Sequence, residues 1–520
     1  MKRVLPNLLL RVGFVAVLAL CWILLPDGEV VSSSANPALD PDERFVLESG
    51  QAAGRLSVEI LEDKTGVHLP GRLFFAHKEP RDQVPIVGRF ENFLVTASGR
   101  EVKTVPVGQY DVYITRGTEY TLDHQEISIK EGRLTHLTST LSPAIDTSGF
   151  ISADFHLHLQ FAMRDGAIVS AAEGLDFLTA TDHNILKDYS PYISELGLKR
   201  FMTSVVGSEI DTAFGHFNSF PLTDDRWQER GYRHSIRTPR EFLRIVKEDP
   251  GDEIVQINHP RFKNPKGGYF NLRLNRETSQ IEYPFFETAF DQMEVYNAIT
   301  DREDMEIPTY GPSSQVDQNL KDWFGLLNQG IAIAGVANTD AHRYPGELPG
   351  YPRNYVLSDT DKPWEVDPNQ VVDALKKKAV TASLGPFIRF SANDGKPVGS
   401  TLSSEGDSVT LHVNVQAAPW IPVDRVQIIA NGEVLHTFPV DASSERVRFR
   451  QAIRVQSGQD TWYLVLVTSE RPWKPPFTEF RSLAFTNPIW VDYDENGYFD
   501  PIQPGDPGWV DPEEDQQGGS

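Results

Sequence analysis

The sequence predicts a multidomain protein in which an α/β region with barrel-like closure is flanked by two β-sandwiches. Three observations predict it. Between residues 148 and 386, short apolar runs stop at His, Asp or Glu residues and alternate with helical patterns. From residue 55 to about 142, apolar residues alternate with polar ones between Gly, Pro and Asp turns. From 387 to about 493 the alternation returns. A chain of 520 residues also exceeds one domain on a prior of about 100–200 residues each.

The N-terminus comes first. Lys2, Arg3 and Arg11 precede an apolar stretch over 12–25 that is shorter than the ~20 residues of a spanning helix. Residues 1–35 therefore read as a signal peptide, with Ser33-Ser34-Ala35 for cleavage, or as a membrane anchor if uncut. Leu18-Ala19-Leu20-Cys21 resembles a bacterial lipobox weakly, because Leu20 is too large for the position before the cysteine. The expected location is the periplasm or cell envelope, with membrane attachment through this segment as the alternative. Cys21 is the single cysteine, so the mature chain has no disulfide framework, thiolate nucleophile or Cys-zinc site. The net charge of −24, with no basic stripe, disfavours nucleic acid as a partner.

Residues 36–50 read as a linker. Over 50–147, Leu56, Val58 and Ile60 share one strand face, and Tyr110, Val112 and Ile114 another. Val107-Gly108-Gln109-Tyr110-Asp111-Val112-Tyr113 with Gly117-Thr118-Glu119-Tyr120 resembles prealbumin-like and carboxypeptidase-regulatory-like domains. In the α/β region, about seven strands are expected, beginning near Phe150, Leu175, Thr203, His216, Ile254, Met293 and Ile331, with parallel pairing. Thr238-Pro239-Arg240-Glu241 is a capping box opening one helix, Trp323, Phe324, Leu326 and Leu327 mark a second ended by Gly330, and Asp367-Pro368 caps a third. His234 is taken as a surface residue. Over 387–495, Asn431-Gly432 predicts a tight hairpin, and Thr461 begins a run suited to a strand covered on both faces. The acidic, Pro- and Gly-rich tail, 496–520, is expected to be disordered.

The chemistry lies at the ends of the apolar runs. Asp154-Phe155-His156-Leu157-His158, Thr181-Asp182-His183, Glu209, Asn258-His259-Pro260 and Asp340-Ala341-His342 all occupy such positions. Ends of successive parallel strands converge on one face of a barrel. Imidazoles and carboxylates meeting there suit a divalent first-row metal: zinc, manganese or iron. His156 and His158 are two apart, so in an extended chain both point to one side. No Gly-x-Ser-x-Gly elbow, Walker A loop or dinucleotide fingerprint is evident.

Together with Asp165-Gly166, Gly207-Ser208-Glu209, Gly215-His216-Phe217-Asn218, Glu294-Val295-Tyr296-Asn297 and Tyr351-Pro352-Arg353, these motifs resemble the polymerase and histidinol phosphatase (PHP) superfamily, in its CehA/McbA-like branch. The resemblance covers roughly 149–360. It implies a distorted (β/α)7 barrel holding two or three divalent ions. It implies one ion on His156, His158, Glu209 and Asp340. A second would be bridged by Glu209 and completed by His259 and His216, although a buried, hydrogen-bonded role is an alternative for His216. A third would sit on Asp165, His183 and His342. Arg164-Asp165-Gly166 stands where many relatives have Ser-Asp-Gly, and a solvated turn is the alternative for Asp165. Asp182 is expected behind the metals, fixing a ligand imidazole. Arg261 and Arg353 are expected to face the pocket and grip an anionic substrate oxygen, or else to form ordinary ion pairs.

The implied activity is hydrolysis of a small-molecule phosphoester, carbamate or carboxylic ester by a metal-activated hydroxide, with His156, His158, Glu209, His259, Asp340 and His342 at the reacting centre. The alternative is a metal-containing cell-envelope binding protein without catalysis. Separately, Asp492-Tyr493-Asp494-Glu495-Asn496-Gly497 resembles the start of an EF-hand-type calcium loop, with calcium on Asp492, Asp494 and Asn496; its twelfth position is Gln503, not Glu, and a tight acidic turn is the alternative.

Overall fold

The computed structural model of the protein describes residues 51–77, 93–159, 162–222, 238–247, 252–262, 267–271, 273–298, 313–342, 348–403 and 408–500. The signal or anchor segment with Cys21, the linker, His234, Gln503 and the tail beyond residue 500 lie outside the described residues. Among those described, no helix is long and apolar enough to cross a membrane.

Alternation over the N-terminal stretch produces two sheets. One orders Arg100–Pro106, Ala53–Glu62 and Leu134–Leu141; the other orders Phe93–Thr96, Gly71–His77, Gly108–Thr115 and Asp123–Ile129. Their inward residues, among them Leu56, Val58, Ile60, Leu73, Tyr110, Val112 and Ile114, form one core. This module is locked to the α/β region by cations reaching backbone. Arg116 Nη1 donates to Ala171 O at 2.6 Å, satisfying a carbonyl at the end of helix Met163–Ala172, whose last turn has no basic residue of its own. Gly117 has φ +70, and a Cβ there would lie 1.9 Å from Glu173 O, so only glycine lets the two modules approach.

The expected strands of the α/β region all form, but their pairing is mixed. Gly207 divides one expected strand in two. Thr203–Val206 pairs parallel to Phe177–Ala180, whereas Ser208–Thr212 turns into an antiparallel hairpin with Gly215–Phe220. Gly215–Phe220 then runs antiparallel to Ile254–Ile257, which is followed by parallel Gln292–Asn297 and Ala334–Asn338. The expectation of wholly parallel pairing is thus corrected: a hairpin occupies the place of one crossover. Among the described residues, ladders do not run round a closed barrel. Two sheets touch instead at single parallel bridges, Leu157 with Ala341 and His183 with Glu209. Both bridges involve residues at or beside the metal-type positions.

The two expected caps form: Thr238 accepts from Glu241 N at the start of Pro239–Val246, and Asp367 from Asn369 N at Pro368–Lys376. Ser313 adds a third, accepting from Val316 N at Ser314–Asn328. Trp323, Leu326 and Leu327 on Ser314–Asn328 are buried.

The C-terminal strands do not stand apart. Val380–Leu384 pairs with Arg481–Thr486, so one 11-stranded mixed sheet runs from the α/β region into the C-terminal part. A four-stranded sheet of Lys396–Pro397, Phe387–Ala392, Val409–Gln416 and Val447–Val455 accompanies it. The Asn431-Gly432 turn has φ of 48° and 92°, the two positive values a type I′ hairpin needs. Thr461–Pro472 is buried along its first half, as its apolar run foretold. The architecture is α/β plus β, with a large mixed sheet, and residues 40–520 make one unit.

Candidate metal centre

The donor side chains gather where the two sheets touch. His156 is the last residue but one of strand Phe150–Leu157, and His158 follows the strand. Glu209 is the second residue of Ser208–Thr212; His259 and Asp340 lie just beyond Ile254–Ile257 and Ala334–Asn338. Register shifts between Asp154 and Leu157 and between Glu294 and Tyr296 disturb the regular pleat beside these residues. His259 (φ 25°) and Asp340 (φ 53°) hold backbone conformations that side-chain-bearing residues rarely adopt. Such residues cost about 1–3 kcal/mol each and persist where their surroundings enforce them. Here His259 N donates to Glu294 Oε2 at 2.7 Å, and Asp340 N to His156 O at 2.9 Å.

Four donors from distant segments meet in the interior. His156 Nε2 lies 3.0 Å from His158 Nε2, 3.4 Å from Glu209 Oε2 and 3.2 Å from Asp340 Oδ1. His158 Nε2 lies 3.0 Å from Glu209 Oε2 and 3.1 Å from Asp340 Oδ1. All four residues are buried. A tetrahedral ion with ligands at about 2.0–2.1 Å has its ligand atoms about 3.3–3.4 Å apart. The observed edges approach that figure. A single proton between two ring nitrogens cannot satisfy four donors at once, whereas one cation can. The set fits a divalent metal.

Glu209 spreads its two oxygens over two neighbourhoods. Oε2 faces His156, His158 and His183, while Oε1 lies 3.1 Å from His216 Nδ1 and 3.3 Å from His259 Nε2. Asp211 adds a carboxylate, 2.7 Å from His183 Nδ1 and 3.8 Å from His216 Nε2. His183, Glu209, Asp211 and His216 form a second group able to hold an ion, and His158, His183 and His342 a third. His183 and His342 leave 35% and 37% of their side chains exposed, so the centre opens to solvent on that side.

The electrostatics demand positive charge. Burial alone would raise the Glu209 carboxyl, but the His183, His156 and His216 imidazoles hold it well below the usual range. Asp340 is likewise lowered against its burial, by His156, His342 and His158. Burial disfavours a charged His183, yet Glu209 and Asp211 push it up to about 9. His342 is driven down to about 4, by burial first and with positive His158 contributing against the pull of Asp340. Ionised carboxylates surrounded by imidazoles are what metal ligation requires, with a cation taking the place of the protons.

Glu294 anchors this arrangement. It is fully buried, its Oε1 is 2.8 Å from His156 Nδ1, and it also accepts from His259 N, Asn297 Nδ2, Asn338 Nδ2 and Gln256 Nε2. Asn258 Nδ2 donates to Glu209 Oε1 at 3.0 Å, and Asn297 Nδ2 to Asp340 Oδ2 at 3.2 Å. Glu294 holds the His156 imidazole at its Nδ1, and Asp211 lies 2.7 Å from His183 Nδ1. Asp182 is buried nearby, its carbonyl 3.3 Å from Ser208 Oγ. Sequence reasoning assigned Glu294 and Asp211 no site role. A charge inside the apolar run of Met293, Val295 and Tyr296 was the available signal for Glu294. Asp211 lies two residues past Glu209 on one strand, hence on its face.

Three expected residues belong to none of these groups. Asp165 is on the first turn of Met163–Ala172 and joins none of the metal-type groups found among the described residues. Arg261 is buried in a bidentate pair with Asp322 (2.7 and 2.9 Å), and also donates to the carbonyls of Phe270 and Leu274. Arg353 is buried and donates to Gly350 O, Glu173 O and Glu119 Oε1. The donors of both arginines go to the scaffold, as in the ion-pair alternative.

No family profile matches the chain. A 135-residue stretch, 24% of the chain, is 32% identical to an uncharacterised protein of Chlamydia pneumoniae. The match covers 20% of that protein, so the chain spans about a fifth of its length. The buried His, Asp and Glu groups establish a centre suited to a metal-dependent catalytic site.

Proposed function

We propose that the protein is an exported metal-dependent hydrolase that cleaves a small-molecule phosphoester, carbamate or carboxylic ester, of the PHP type in its CehA/McbA-like branch with a distorted (β/α)7 barrel. The observation that carries this reading is that the His156 and His158 imidazoles approach each other and the Glu209 and Asp340 carboxylates to between 3.0 and 3.4 Å, beside a shared Glu209 facing further imidazoles. Structural zinc sites are closed and commonly built from Cys; adjoining groups that share a carboxylate and open to solvent suit catalysis better.

Divalent ions, when bound, lower the pKa of water from 15.7 towards ~7 and neutralise charge on a substrate oxygen. The chain's own residues do the rest. His156, His158, Glu209 and Asp340 would hold one ion. His183, Glu209, Asp211 and His216 would hold a second, with His259 beside Glu209 Oε1. His342 lies at the solvent side with His158 and His183, where a third ion would sit. The low pKa keeps His342 neutral at pH 7, with a lone pair that can ligate an ion there. With Arg261 and Arg353 committed elsewhere, orientation of a substrate oxygen falls to the ions and the His183–His342 rim.

The test is elemental analysis of the purified protein with a panel of aryl phosphates, aryl carbamates and carboxylic esters. Hydrolysis should stop on chelation and fall at least about a hundredfold in Glu209→Gln and Asp340→Asn, a larger loss than the 10–100-fold typical of outer-shell changes. Metal-replete protein inactive across the panel would instead favour the binding-protein alternative.

A further inference from the structure

We propose that the loop after the last strand, Ile489–Asp492, is a calcium site whose ligands come from two segments: Asp492, Asp494 and Asp500 within the loop, and Asp460 from the turn before Thr461–Pro472. One oxygen each from Asp460, Asp494 and Asp500 lies within 4.8 Å of the others. The loop is folded onto Asp460, whose two oxygens accept Tyr493 N at 2.8 Å and Asp500 N at 2.7 Å.

A separate observation points to a cation. Asp492 is 1% exposed. Its Oδ2 accepts Gly497 N at 2.8 Å, which ties the carboxylate to the backbone of the same loop. Its Oδ1 is buried there with no hydrogen-bond partner. Leaving a carboxylate oxygen dry and unpaired is costly. No Lys or Arg among the described residues pairs with Asp460, Asp492, Asp494 or Asp500. Calcium takes 6–8 oxygens, carboxylates foremost, in a flexible geometry.

The assembly differs from the sequence pattern in two respects. Asp460 supplies, from a distant turn, the extra carboxylate that Gln503 cannot. Asn496 does not present an oxygen to the acids: its Nδ2 donates to Asp494 Oδ2 and Asp500 Oδ2, each at 3.0 Å, and its Oδ1 accepts Tyr498 N. That amide bridge is the competing way of holding the loop without an ion. Phe499, next to Asp500 in the chain, lines a cavity of about 160 Å³ with Leu327, Lys378 and Trp490. A bound ion would thus tie the end of the described chain to both the C-terminal strands and the α/β region.

Terbium luminescence on the full chain tests this, with Tyr493 and Tyr498 as built-in sensitisers. Wild type should show sensitised terbium emission that calcium displaces with an apparent constant of about 10⁻⁴–10⁻³ M, the range of extracellular modules. The Asp494→Asn/Asp500→Asn double variant removes two exposed side chains and should weaken displacement at least about tenfold, at unchanged circular dichroism. Because terbium can also enter the His-rich centre, the same titration is run on His156→Ala, where the calcium-displaced signal should persist. Melting temperature should rise with millimolar calcium in wild type and His156→Ala but not in the double variant. No calcium response in wild type, or an equal response in the double variant, overturns the proposal. These readouts do not depend on hydrolysis, so they stand or fall apart from the proposed function.

Discussion

Replacing Glu294 by Gln should loosen the metal centre without touching a first ligand. Glu294 is fully buried and takes five hydrogen bonds: Oε1 from His156 Nδ1 (2.8 Å), Asn338 Nδ2 (3.0 Å) and Gln256 Nε2 (3.3 Å), Oε2 from His259 N (2.7 Å) and Asn297 Nδ2 (2.9 Å). Glutamine keeps the shape but turns one oxygen into a donor. The less damaging orientation places the new NH₂ against His259 N and Asn297. Two hydrogen bonds to a charged acceptor, worth about 1.5–3 kcal/mol each, are then lost, so about 3–6 kcal/mol is an upper figure for destabilisation. His259, already at φ 25°, loses the bond that holds it there. His156 keeps a neutral acceptor in place of a carboxylate, which lowers its basicity as a ligand. Outer-shell changes of this kind cost about 10–100-fold in metal affinity. The assay is competitive titration of zinc or manganese against a chromophoric chelator, with melting curves for the apo and loaded forms. A variant that binds metal as tightly as wild type and melts at the same temperature would refute the reasoning.

Two further outcomes follow from buried charge. Arg261→Met strands Asp322, which is fully buried, and should cost about 3–5 kcal/mol, read as a fall in melting temperature; an unchanged melting temperature with a raised KM would restore the substrate-gripping role. Asp176 is pushed up to about 7, chiefly by burial and then by the charge of Glu119. Its folded pKa exceeds the unfolded value near ~3.9, so the folded chain binds the extra proton between those limits and loses that stabilisation as pH rises towards 7. Asp176→Asn cannot titrate, and its side-chain oxygen can still accept from Ser152 N and Oγ. The melting temperature of wild type relative to this variant should therefore decline between pH 4 and about 7; parallel curves would contradict the assignment.

Much of this was legible in the residues. Period-2 alternation marked both β regions because a half-buried strand leaves that imprint locally. Thr238 and Asp367 announce helix starts because capping is a contact within a few residues. His156, His158, Glu209, His259 and Asp340 were conspicuous because polar donors at the ends of apolar runs have few other reasons to be there. The hairpin of Ser208–Thr212 with Gly215–Phe220 was not legible, since the strands' direction depends on which neighbour each one finds. Nor was the ladder joining Val380–Leu384 to Arg481–Thr486, which fuses two regions that composition separates.

The arginines show the limit most clearly. Arg261 and Arg353 sit in motifs near the centre, and their chemistry suits an anion. Each is nevertheless consumed by partners far away in sequence, Asp322 for one, Glu119 and the Glu173 carbonyl for the other. The sequence by itself determined which atom types were available and that they lie at strand ends, because periodicity and side-chain chemistry are local properties. Only the tertiary structure decided which donors come within 3–4 Å of one another, that Glu294 and Asp211 steady the imidazoles, and that Asp460 joins a loop more than thirty residues away. Ligation and pairing depend on ångström separations between segments that meet only when the chain folds.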